Sequence, residues 1–198
     1  MKTATQNLEN DHIYILRLMD VMEIMVLNNV TDVAHFEMMV NLILKYADEF
    51  HHAKEEQLLF PLLVKKGFSN EQGPVSVMLH DHAEGRNFVK EIVAEIARYK
   101  KGDESVLPEL YRNTQEYIDL MRTHIAKENK VLFRMADHMI SADDMEELRK
   151  QFESVEKADY GDDKIKQYIT DIEGLEVVYL SRPRKYPQMG NLRNSSSR

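Results

Sequence analysis

A ten-residue phrase occurs twice in this chain of 198 residues, and it limits what the fold must bring together. His51-His52-Ala53-Lys54-Glu55-Glu56-Gln57-Leu58-Leu59-Phe60 returns as His124-Ile125-Ala126-Lys127-Glu128-Asn129-Lys130-Val131-Leu132-Phe133, with His, Ala, Lys, Glu, Leu and Phe in register. Each copy sets a histidine four residues before a glutamate. On a helix that spacing aims both side chains at one point. Two such helices side by side could hold a pair of metal ions between them.

The rest of the chain suits helices. Seven glycines and five prolines are few for this length, and a hydrophobic fraction of 43% is enough for a core. The chain has no cysteine, which excludes disulfides, thiolate catalysis, iron–sulfur ligation and thiolate zinc sites. Any metal must be held by nitrogen and oxygen, a donor set that suits iron, manganese or zinc. The net charge of -8 argues against a nucleic acid or an anionic membrane as partner. No apolar run approaches the roughly 20 residues needed to span a bilayer. The start, Met1-Lys2-Thr3-Ala4-Thr5-Gln6, lacks the apolar stretch of a signal peptide, so a cytoplasmic protein is expected.

Periodicity and capping signals predict four long helices. The first runs from about Leu8 to Leu27, on a stripe of Ile15, Leu16, Met19, Met22 and Val26. The second, capped by Thr31 or Asp32, continues past His51 to about Lys66, with Pro61 expected to kink it or loosen its last turn and Gly67 to stop it. Pro74 opens the third, which reaches about Lys101. The fourth runs from about Leu107 to Met139. Ser141 with Asp144 opens a fifth to about Glu156, and a last amphipathic stretch covers about Asp163 to Ile172. Short connections between long helices favour antiparallel neighbours. The expected fold is all-α: an up-down-up-down four-helix bundle over residues 1–140, a short C-terminal helical appendage over 141–180, and a mobile tail over 181–198. The basic residues Arg182 to Lys185 in that tail could dock a partner, although a short charge run is usually just solvated.

Helical phase, at about 100° per residue, sorts the histidines. His12 lies on the stripe of the first helix. His82 falls near the centre of the third helix's apolar face, with His80 pointing the other way and Arg86 facing largely inward. His124 and Glu128 sit on the apolar face of the fourth, where an unpaired carboxylate would cost several kcal/mol. On the second helix, His51 with Glu55 and His52 with Glu56 share the spacing; the repeat and the phase favour His51 and Glu55, and His52 could reach the site from the edge. His35 and His138 lack a partner at i+4 and read as surface or capping residues. The twelve methionines read as core filler. His12, His51, Glu55, His82, His124 and Glu128 are therefore the candidate metal ligands, with His52 a possible additional ligand and Arg86 a possible neighbour of the site. Carboxylates can bridge two metals about 3.5–4 Å apart while imidazoles fill terminal positions. Six protein ligands leave positions for water or a small molecule. A single hydrolytic zinc needs fewer ligands and a cleft, and fits less well.

These stretches, with Asn10-Asp11-His12-Ile13 and Gly73-Pro74-Val75-Ser76-Val77-Met78-Leu79-His80-Asp81-His82-Ala83-Glu84-Gly85-Arg86, resemble the hemerythrin-like, or HHE cation-binding, domain family over roughly residues 8 to 140. The resemblance implies a bundle holding two iron ions in an oxo- or hydroxo-bridged centre, with His12, His51, His82 and His124 as terminal ligands and Glu55 and Glu128 as bridges. Oxygen-carrying members place a second histidine where Arg86 stands, so either one iron has an extra open position or His52 supplies the missing ligand. Members include oxygen carriers, oxygen or iron sensors, handlers of nitric oxide or peroxide, and iron-repair proteins; the last typically add a cysteine-bearing segment and resemble this chain less. The expected partner is a small diatomic ligand or peroxide, with binding of dioxygen or a related oxidant first, a di-iron oxidase, peroxidase or nitric-oxide enzyme second, and a metal-free helical interaction module third.

Overall fold

Helix starts and stops follow the capping chemistry of the sequence. The structure, a computed structural model, describes residues 3–180. α1 (Ala4–Leu27) begins at Thr3, whose hydroxyl accepts from the Gln6 backbone while the Gln6 side chain accepts from the Thr3 backbone. This capping box sets the start four residues ahead of Leu8, where the apolar period becomes visible. Asp32 caps α2 (Val33–Leu42), accepting from the His35 backbone. The rod then continues through π-helical segments Ile43–His52 and Glu55–Leu59 into α3 (Phe60–Lys65), and stops at Gly67, whose φ of +104° suits glycine. α4 (Pro74–Tyr99) carries Pro74 in its first turn. α5 (Leu107–Lys127) passes through a π-helical segment, Glu128–Leu132, into α6 (Phe133–Met139). Ser141 caps α7 (Ala142–Val155), and a π-helical turn, Glu156–Tyr160, leads to α8 (Gly161–Tyr179), longer at both ends than the amphipathic stretch suggests.

The fold is all-α: no strand occurs among the described residues, and no helix there is long and apolar enough to cross a membrane. The expected tail, 181–198, with its basic stretch, lies outside the described residues. Pro61 does not end its rod; it sits in the first turn of α3, directly after a π-helical segment. The second phrase carries the same wide turn with Arg134 in place of proline. The wide turn therefore belongs to the phrase and not to Pro61.

α5 packs against both α1 and α4, and α2 against α4 and α8. Apolar side chains form two clusters. One gathers Ile15, Leu18, Met22, Phe36, Tyr46 and Ile92 with Ile172 and Leu175 of α8; the other gathers Leu8, Leu63, Val75, Leu132 and Ala136 with Leu148 and Phe152 of α7. The helices after residue 140 thus contribute to both. Between the clusters, at the level of His12, His51, His82 and His124, lies a buried polar layer.

One buried carboxylate, Glu95, stands apart from that layer. Glu95 is 6% exposed; one oxygen accepts from Asn113 Nδ2 at 2.7 Å and the other has no partner. Burial pushes its pKa above the ordinary 4.5, against the opposing Asn113 bond. The folded state therefore favours the protonated form, and this contribution is present below pH 4.5 and lost as pH rises through the raised value. Glu95→Gln should raise the thermal midpoint at pH 7 by about 2–4 °C and leave it unchanged near pH 4, measured by circular dichroism.

Candidate metal centre

The internal repeat is structural as well as sequential, and it builds the site in two related halves. His12 Nε2 lies 2.9 Å from His51 Nε2, and His82 Nε2 lies 3.1 Å from His124 Nε2. The ring pairs match too: centroids 4.6 Å apart at 63° in the first, 4.7 Å at 64° in the second. Each glutamate touches one histidine of either half. Glu55 Oε2 is 3.6 Å from His51 Nε2 and 3.5 Å from His82 Nε2, and Glu128 Oε2 is 3.2 Å from both His124 Nε2 and His12 Nε2. All six residues are buried.

His52 joins them. It stacks on His82 with centroids 3.9 Å apart, and it too is buried. The donor atoms of His52, Glu55, His82 and His124 lie within 4.8 Å of one another, and so do those of His12, His51, Glu55 and Glu128. Glu55 is common to the two groups. Phase counted at the α-helical pitch places His52 at the edge. The π-helical segment ending at His52 takes more residues per turn, so two consecutive histidines reach the interior.

Every one of the five imidazoles is fixed through its other nitrogen. Nδ1 of His51 pairs with Asp11 at 3.3 Å, of His52 with Asp48 at 3.3 Å, of His124 with Asp81 at 3.3 Å, of His82 with Glu56 at 2.6 Å and of His12 with Asn129 Oδ1 at 2.7 Å. Acceptors at Nδ1 leave Nε2 as the lone-pair nitrogen, and all five Nε2 atoms face the centre. Lysines of the phrase brace the first and third of these acceptors: Lys54 donates to Asp11 and Lys127 to Asp81, each at 2.7 Å. The phenylalanine ending each phrase covers the opposite half, Phe60 stacking on His82 and Phe133 on His12. The Asp-His pair at 11–12 and again at 81–82 was a legible signal for these acceptors that counting histidines alone passed over; Asp48, Glu56 and Asn129 left no such mark.

This donor set fits divalent or trivalent cations. His52 Nε2 and both oxygens of Glu55 and Glu128 are buried without a hydrogen-bond partner. Converging lone pairs repel one another, and each unpaired buried carboxylate costs several kcal/mol unless a positive charge meets it. Burial and neighbouring imidazoles push His51 and His52 well below their ordinary 6.5, which keeps them neutral as ligation requires. Burial, then the Glu128 carboxylate, pushes Glu55 up. Burial would raise Glu128 as well, but His124 and His12 outweigh it and hold the anion. His124 itself is lifted to about 9, because Glu128 and Asp81 overcome its burial; without a cation its Nε2 carries a proton toward Glu128, which a bound cation would displace.

Three expectations need adjustment. Arg86 does not face the interior: its side chain is 44% exposed, and its guanidinium pairs with Asp48 and Glu56 at 2.7–2.9 Å, the acceptors of His52 and His82. Glu56, given little weight beside Glu55, holds His82. His35, read as a surface or capping residue, is half-buried and pairs with Tyr179 at 2.6 Å. His80 is 79% exposed and His138 is exposed, as their phase indicates. A cleft of about 190 Å³ leads from the surface to His52 and His82, walled by Ile43, Leu44, Gly85, Val89 and Tyr117.

If the two carboxylates are held for cations, removing one should help the protein that lacks them. Glu55→Gln should stabilise the metal-free protein by roughly 1–4 kcal/mol and abolish the rise in thermal midpoint on adding ferrous iron. Thermal unfolding with and without iron, after chelation, measures both; a wild-type midpoint indifferent to iron would favour a metal-free helical module.

Comparison with known proteins agrees with this geometry. The curated proteins similar to this chain include the iron-sulfur cluster repair protein YtfE of Escherichia coli O157:H7 and that of Shigella boydii serotype 18, each 33% identical over 93 residues. The match covers 43% of this chain and 40% of either relative, so the chain spans well under half the length of the curated relatives it matches. No solved structure matches the chain. The Hemerythrin HHE cation binding domain matches residues 3–136, and with the histidine and glutamate cluster inside that span, the chain belongs to the hemerythrin HHE family.

Proposed function

We propose that the chain is a non-haem di-iron protein that binds dioxygen or a related small oxidant. The observation that carries it is the sharing of carboxylates: Glu55 and Glu128 each contact one histidine of either half, as bridges between two cations would. His12 and His51 would hold one iron, and His52, His82 and His124 the other. His52 then stands in for the histidine that Arg86 displaces. Glu55 and Glu128 with five imidazoles would leave coordination positions free, and bound iron would supply redox chemistry there.

The chain's own residues do the rest. Apolar walls keep water scarce, and the cleft admits a small molecule to the His52–His82 side. Arg86 has both its carboxylate partners in place, which suits bracing of the histidine supports better than stabilising an anionic intermediate. We place the iron site in an up-down-up-down four-helix bundle over 1–140, with 141–180 as a helical extension. The short connections, and α5 lying between α1 and α4, support that arrangement. A cytoplasmic setting accords with a cysteine-free chain.

The relatives' name favours a second reading, in which iron held here serves iron–sulfur cluster repair. Iron transfer to a cluster-depleted ferredoxin tests it. For the leading function, elemental analysis after anaerobic loading and air exposure should give about two irons per chain, with oxygen-to-iron charge-transfer absorption in the near ultraviolet. One iron per chain, or none, overturns it. Stopped-flow mixing of the reduced protein with oxygen or peroxide then separates carriers from enzymes: a lasting adduct means binding, and repeated turnover means an oxidase or peroxidase.

A further inference from the structure

Besides His52 and the exchange of Glu56 for Asn129, the two halves differ in how their lysines end. Lys127 is 38% exposed at its side chain and donates to Asp81. Lys54 is fully buried: its side chain is 0% exposed, and its ammonium lies 4.0 Å from the Phe50 ring centroid. It donates to Asp11 at 2.7 Å, to Asn7 at 3.0 Å and to Glu156 at 2.7 Å. Asn7 also donates to Glu156, at 3.2 Å. Glu156 stands in the π-helical turn between α7 and α8, beyond the residues that the family matches.

A buried ammonium needs its negative partners, and a single carboxylate shared with His51 leaves it under-satisfied. Glu156 completes the set. It thereby holds Lys54 in place, Lys54 holds Asp11, and Asp11 holds the His51 ring with Nε2 inward. The other half has no counterpart among the described residues: Asp81 is buried there, but Lys127 is half-exposed and donates to Asp81 alone. We propose that the C-terminal helices act on the metal centre through Glu156, as a positioning residue that sets the cation affinity of the His12–His51 half alone. The inference rests on the metal-binding function proposed above. Anything that draws Glu156 away from Lys54 then loosens one cation and spares the other.

The test is an anaerobic titration of the full-length protein with ferrous iron against a competing chelator. Glu156→Gln keeps the shape of the side chain and removes the charge. It should weaken one of the two iron equivalents about tenfold and lower the metal-free melting midpoint, with the second equivalent and the helix content unchanged. Lys127→Ala should weaken the other equivalent instead. Unchanged affinity at both equivalents in Glu156→Gln and Glu156→Ala overturns the inference, and so does equal weakening of both, which marks a general loosening. Should Glu156→Ala fail to fold, Asn7→Ala removes a neighbour of both Lys54 and Glu156 and is judged by the same criteria. A wild-type protein that takes up no iron overturns the proposed function itself, and the inference with it; a wild-type protein that binds two irons beside an unaffected Glu156→Gln overturns the inference alone.

Discussion

Five imidazoles turned toward one another across a dry interior are an unfavourable arrangement, and most of what surrounds them exists to enforce it. Nitrogen lone pairs and carboxylate oxygens at roughly 3 Å repel unless something positive lies between them. The chain meets this by fixing each ring from behind. Asp11, Asp48, Asp81, Glu56 and Asn129 occupy the Nδ1 side, and Lys54, Lys127 and Arg86 hold four of those five in turn. Ring orientation is thus decided outside the site, in contacts that remain whether or not a cation is present.

The apolar clusters serve the same end. One lies on either side of the polar layer, so the layer cannot relax by swinging its side chains to water. The rings of Phe60 and Phe133 seat against His82 and His12, and each comes from the phrase of the other half. Every shared letter of the repeat with a polar or large side chain finds its place here. Histidine and glutamate are candidate ligands, lysine braces the aspartate, leucine fills the core, and phenylalanine covers the facing imidazole. Departures from the repeat mark where the halves differ. Glu56 is matched by Asn129, giving one histidine an anionic support and the other a neutral one, and His52 is matched by Ile125. Imidazole backed by carboxylate is the more basic ligand, so two cations held here would not be equivalent.

How much of this was legible follows from periodicity. Helix type, helix order and the inward turn of His12, His82, His124 and Glu128 follow from a 3.6-residue repeat and a few capping residues. Arg86 defeated the same reckoning. It lies one turn beyond His82, near the edge of the buried face, and two carboxylates on the second rod, Asp48 and Glu56, draw its long side chain outward to the mouth of the cleft. His52 defeated it in the opposite sense, because a π-helical turn changes the angle per residue and nothing in the local sequence announces one.

By itself, the sequence determined that the chain is helical, that two His-x-x-x-Glu pairs and two Asp-His pairs share one register, and that only nitrogen and oxygen can ligate. Those are matters of spacing and composition, which a chain carries before it folds. Tertiary structure decided that both of two adjacent histidines enter the site, where Arg86 goes, and that Glu156, about a hundred residues from Lys54, closes one half. Each depends on which side chains meet across helices, and a one-dimensional period holds no information about the partner on the neighbouring rod.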